Sequence, residues 1–169
     1  MKTMFVRGGL AASFILIAFG IGSIVVGLDG RGEVRDTLAQ EKIVGTPDSE
    51  IPGEEVDTGD EARKFADVIR KHTLEATSGK TYSEMPRFLD ANGNPTEGES
   101  KAAKDPETGE PLENGDRQIW ITSTALSTAL NTSYFAERVA TFSIIMGIAL
   151  LLTGIGFLVL NLGTLTRRG

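Results

Sequence analysis

The feature that most constrains this chain is the run 139–165, VATFSIIMGIALLLTGIGFLVLNLGTL, twenty-seven residues without one ionisable side chain, closed by Arg167 and Arg168. As a helix rising ~1.5 Å per residue it reaches about 40 Å, more than the ~30 Å hydrocarbon core of a bilayer, so it spans with some tilt or ends among the headgroups. It reads as a transmembrane helix. A second uncharged run, 8–28, is twenty-one residues long and follows a short basic lead holding Lys2 and Arg7. A cleaved secretory signal has an apolar region of about 7–15 residues and a small-residue cleavage site. This run is longer, and Val26-Gly27-Leu28 is a poor site, which favours a retained first span over a signal peptide.

Charge separates sharply along the chain. All 23 Asp and Glu lie within 29–138 beside 13 of the 17 Lys and Arg, so this region carries a net −10, while Lys2, Arg7, Arg167 and Arg168 sit at the two ends. Cations near the ends of spans stay in the cytoplasm, which places both termini inside and the acidic region outside. Arg31, Arg35 and Arg138 lie close to the spans on the outer side and weaken the asymmetry. A connection this long crosses largely regardless of its charge. The organisation expected is therefore a cytoplasmic 1–7, a first span 8–28, an extracytoplasmic insert 29–138, a second span 139–165 and a cytoplasmic 166–169. The fold class is an all-α membrane protein, a two-helix antiparallel hairpin with a mainly helical insert.

Within the insert, Gly30 and Gly32 interrupt helical periodicity, and a short amphipathic helix resumes over 33–43 with Val34 and Leu38 on one side. The stretch 45–60 mixes Pro47, Pro52 and three glycines with carboxylates and has almost nothing to bury, so it reads as a linker. A helix over 58–77 follows: Thr58 and Glu61 have capping-box spacing, and Phe65, Ala66, Ile69, Thr73 and Ala76 repeat along one side. Ser78-Gly79 ends it. A second short helix is expected over 83–90, with Pro86 in its first turn. Asp90-Ala91-Asn92-Gly93-Asn94-Pro95 and Asp105-Pro106-Glu107-Thr108-Gly109 are turn sequences. Ile119-Trp120-Ile121 can dock as a strand or a helix entry. A helix over 123–138, marked by Leu126, Leu130 and Tyr134, runs without Gly or Pro into the second span, so the element is expected to start near Ser123 and stand out of the bilayer.

Small residues in the spans are the first constellation with a physical role. Ser23 and Gly27, and Gly8 and Ala12, have small-xxx-small spacing, while Gly147 and Gly154, then Gly156 and Gly163, repeat at seven. Such residues let helices approach closely where lipid supplies no hydrophobic drive, although Gly is also simply common in membrane helices. Neither span holds a charge, which argues against an ion path or proton relay within one chain. Ser78-Gly79-Lys80-Thr81 imitates the end of a phosphate-binding loop, but Leu74 stands where the first Gly belongs and a helix precedes it. Asp90-Ala91-Asn92-Gly93-Asn94 offers oxygens like a calcium loop, yet Pro95 replaces the required Gly and Lys101 the final Glu, so a turn is the better reading. His72 is the one imidazole, on the border of the apolar stripe; with no Cys the chain cannot assemble an ordinary zinc or non-haem iron site alone. No cofactor or metal is therefore expected.

Residues 41–48 (EKIVGTPD), 64–96, 105–111 and 124–161 together resemble a group of small two-span membrane proteins of high-GC Gram-positive bacteria that often carry an automatic label of aromatic ring-opening dioxygenase. The resemblance covers most of the chain and implies a plasma-membrane location. Extradiol ring opening needs iron held by two His and a carboxylate, and this chain has one His, so the residues argue against that chemistry.

The function expected is a non-enzymatic accessory or scaffold subunit acting through its outer insert, in contact with the bilayer and with a membrane-protein partner or a second copy, and not with nucleic acid. The alternative is an extracytoplasmic sensor or ligand-binding module with an outer pocket around Phe65, Phe88, Trp120 and Tyr134. A third reading, an enzyme, rests only on Ser or carboxylate chemistry that no motif identifies.

Overall fold

A computed structural model describes residues 2–166 of the chain; the C-terminal cations of the orientation argument, Arg167 and Arg168, lie outside the described residues. The chain is mostly helical: α1 is Lys2–Gln40, α2 is Gly59–Ala76 and α3 is Gly115–Thr166. Two short strands, β1 (Phe88–Leu89) and β2 (Pro95–Thr96), pair antiparallel with Phe88 opposite Thr96. Two compact units emerge. One comprises residues up to 42, 57–59 and those from 133 onward; the other comprises 43–56 and 60–132.

In the first unit, α1 is longer than its sequence pattern suggests. Gly30 and Gly32 do not interrupt it, and the separate helix expected over 33–43 is its last part. Each glycine costs about 1 kcal/mol against Ala. The tertiary partners of Arg31 and Arg35 and the burial of Leu38 (4% exposed) oppose that cost. The helix ends where Lys42 enters the left-handed region (φ 51) and the Glu41 and Lys42 amides turn back onto Leu38 and Ala39.

The second unit contains the largest departure from expectation. The stretch 45–60, read as a linker, folds back on itself: Gly45 N–H donates to Glu54 O (2.9 Å), Gly53 N–H to Gly45 O (2.9 Å) and Val56 N–H to Ile43 O (2.9 Å). Ile51 and Val56, its two large apolar side chains, are each 1% exposed. Gly45 allows this approach, because a Cβ there would run into the Ile51 carbonyl.

The α2 helix matches its expected span within a residue or two, burying Ala62, Ala66, Thr73 and, just past its end, Thr77. It stops through a left-handed Ser78 (φ 54) and Gly79 (φ 76), with Gly79 N–H donating to Leu74 O at 2.7 Å. The helix expected over 83–90 is replaced by a 3₁₀ turn, Tyr82–Glu84, followed by β1. Thr81 N–H donates to the Glu84 carboxylate (2.7 Å), which closes the turn. Met85 is already extended (φ −104, ψ 126), the conformation a residue before Pro86 prefers.

Both turn sequences are turns. Asp90 accepts the Asn92 and Asn94 amides (2.8 and 2.9 Å) and Gly93 takes φ 80; Asp105 accepts the Glu107 and Thr108 amides (2.8 and 2.9 Å) and Gly109 takes φ 73. The start of α3 lies upstream of the expected Ser123. Asn114 caps it, its side-chain oxygen accepting the Asp116 amide (3.1 Å), while its Nδ2 donates to Pro86 O (2.9 Å). Ile119-Trp120-Ile121 is accordingly helical.

Candidate functional site

Two sites are built from close packing, one in each unit. In the first, α1 and α3 run side by side in opposite directions. A Cβ on Gly20 would lie 2.7 Å from Leu151 N, one on Gly27 2.8 Å from Ala140 O, one on Gly147 2.7 Å from Gly20 O, and one on Gly154 2.9 Å from Ile17 N. Each is a distance that a real side chain cannot occupy, so the seven-residue repeats 20/27 and 147/154 set backbone against backbone. Ser143 Oγ donates to Ser23 O across the seam at 3.0 Å. Of the residues expected to pack, Ser23, Gly27, Gly147 and Gly154 lie in this seam. Gly156 and Gly163 do not: a Cβ on either would meet nothing within 4 Å. Gly156 is two residues from Gly154, about 200° around the helix, so the two cannot share a face. Gly20 is one member missed, and its seven-residue distance to Gly27 is the signal that identifies it.

The same unit carries an ion cluster. Glu137 on α3 accepts from Arg31 Nε (2.9 Å) and from Arg35 (2.9 Å), and its second oxygen accepts the Gly59 amide at 2.6 Å. Arg31 and Arg35 are one helical turn apart, which brings both guanidinium groups to one carboxylate. The Glu137 side chain is 11% exposed, and three donors from two other helices satisfy it.

The second site is a polar groove of about 220 Å³ between α2 and α3. Asp67, Arg70 and Thr73 form the α2 wall; Ser123, Thr124, Ser127, Thr128 and Asn131 form the α3 wall, with Trp120 between them. Trp120 is 6% exposed and donates Nε1–H to Lys80 O (2.9 Å), while the Arg70 guanidinium lies 5.5 Å from its ring centre. No family model, no curated protein and no solved structure matches the chain. The groove must therefore be read from its own chemistry.

Of the four aromatics expected to form an outer pocket, only Trp120 lines this groove. Phe88 is buried in β1 under the Arg87 guanidinium, 5.2 Å away; Phe65 is half-buried on α2; Tyr134 belongs to the other unit, with Arg138 over its ring at 5.0 Å. The residues missed are hydroxylated, and their signal is the doubled tetrad Ser123-Thr124-Ala125-Leu126 and Ser127-Thr128-Ala129-Leu130. Four residues overshoot a helical turn by about 40°, so columns drift around the helix. Leu130 is buried at 6% while Leu126, one step back, stays 54% exposed.

A second charged cluster sits on the second unit's surface. Asp48 accepts from Lys71 Nζ (2.7 Å), from His72 Nε2 (2.8 Å) and from Thr46 Oγ1 (2.8 Å). The Lys71 hydrogen bond foremost, then those of His72 and Thr46, holds the Asp48 carboxyl far below the usual carboxylate range. His72 thus ties the folded 45–60 stretch to α2.

Proposed function

We propose that this chain is a two-span plasma-membrane protein, with α1 and α3 as an antiparallel hairpin, both termini cytoplasmic and 29–138 outside, and that it acts as a non-catalytic accessory or scaffold subunit through that insert. The observation that carries the reading is where the large apolar side chains lie. Phe14, Phe19, Phe142 and Leu160 are each more than 60% exposed, and only 11% of either long apolar stretch is buried. Water does not tolerate that much continuous apolar surface, whereas lipid does. The glycine seam supports the hairpin, since lipid-embedded helices associate through such close backbone approach.

The cations at both ends support the orientation. The scaffold role is supported by what the acidic groups do: Asp90 and Asp105 close turns, Glu84 closes a 3₁₀ turn, Asp48 ties a loop to α2 and Glu137 joins helices. With no native Cys, single cysteines report topology cleanly. Thr108→Cys is expected to react with a membrane-impermeant maleimide on intact cells, and Lys2→Cys only after lysis. Native electrophoresis of mild-detergent extracts should show a stoichiometric complex; a lone monomer would remove the scaffold reading.

The groove beside Trp120 favours a second reading, a ligand-binding module, because its side chains converge from two helices.

A further inference from the structure

The groove walls have a composition that selects among ligand classes, and we infer that this groove binds a neutral polyhydroxylated ring, a single sugar unit. Its formal charges cancel, Asp67 against Arg70, so neither a simple anion nor a simple cation is favoured. Arg70 can only donate and ionised Asp67 can only accept, whereas Ser123, Ser127 and Asn131 can do both. Neighbouring hydroxyls on a sugar ring, each donor and acceptor at once, match this alternation. At about 220 Å³ the space is below the ~300–1,000 Å³ of sites for drug-sized molecules, which suits one ring.

The α3 wall is also unspent. Thr37, Thr73, Thr132 and Thr153 each turn their hydroxyl back onto the carbonyl four residues earlier, the usual fate of such groups in a helix. Among the described residues, Ser123, Ser127 and Asn131 have no such side-chain bond within the chain. The Arg70 guanidinium, 5.5 Å from the Trp120 ring centre, lines the same groove. The site lies wholly in one unit and deepens the ligand-binding reading without depending on the scaffold role or on topology.

Trp120 is the chain's single tryptophan and lies in the groove, so its emission reports occupancy. The full chain in lipid nanodiscs, which avoids sugar-headed detergents, is titrated with glucose and with N-acetylglucosamine to about 0.1 M and followed by Trp120 emission and by ligand-observed saturation-transfer NMR. A saturable change with at least one sugar is expected, weakened about tenfold or more in Asp67→Asn and in Ser127→Ala. Ser127→Leu, which fills the groove, should abolish it with the thermal midpoint retained. Sodium acetate and alanine serve as the charged and zwitterionic comparisons. No saturable response to either sugar overturns the inference. Saturation by alanine or acetate alone overturns it in favour of a charged ligand, and an unchanged sugar response in both Ser127→Ala and Asp67→Asn places binding elsewhere. A failed topology experiment would leave these results intact.

Discussion

At the scale of single residues, two carboxylates show how burial decides what a charge is worth. Glu137, 11% exposed with three donors, sits between an exposed ion pair and a fully buried one. Breaking a buried pair costs ~3–5 kcal/mol and an exposed one ~1 or less. Arg31 and Arg35 remain 42% and 41% exposed, so Glu137→Ala is expected to destabilise the α1–α3 pair by about 2 kcal/mol, read as a lowered thermal midpoint in micelles. Arg35→Ala alone should cost less, because Arg31 still neutralises the carboxylate.

Asp48 makes a pH-dependent prediction. Its folded pKa lies far below its ordinary 3.8, so its contribution is complete above about pH 4 and disappears as pH falls through the depressed value. Asp48→Asn should therefore melt lower than the wild type at pH 7, and the gap should narrow in strong acid; a gap constant down to pH ~2 would contradict the assignment. Neither role is visible in the residue itself. Glu137 finds Arg31 across 106 positions of sequence and Asp48 finds His72 across 24, and no local pattern encodes such pairings.

At the scale of elements, the glycine seam divides chemically identical residues by face. Gly147→Leu is expected to part the helices, whereas Gly156→Leu, with nothing within 4 Å, should be tolerated. Paired Ser23→Cys and Ser143→Cys replacements test this, since the Ser143 hydroxyl reaches the Ser23 backbone carbonyl at 3.0 Å across the seam. Oxidation should cross-link them in an otherwise wild-type chain and with Gly156→Leu, and fail with Gly147→Leu. The element boundaries that sequence reading captured were those with a local cause: Ser78-Gly79 stops α2 through its own backbone preferences, and the Asp90 and Asp105 turns close on their own amides. Boundaries set by distant partners were missed. Asn114 caps α3 with one side of its carboxamide and holds Pro86 O with the other, and the 45–60 stretch is ordered by burying Ile51 and Val56.

At the scale of the molecule, the two apolar runs dominate behaviour. In the proposed hairpin, alkaline carbonate should leave the chain in the membrane pellet, and detergent should be required to release it; release by carbonate would contradict two spans. The sequence by itself determined that there are two long apolar helices, an acidic region between them, a helix after Thr58 and the tight turns, because hydrophobic periodicity, charge and turn chemistry are local properties. Only the tertiary structure decided that Gly20 packs while Gly156 does not, that 45–60 is folded, that α3 begins at Asn114-Gly115, and that hydroxyls and Trp120, not four aromatics, form the groove. Each of those depends on which face of one element meets another, and a face is chosen by the sum of contacts across the fold.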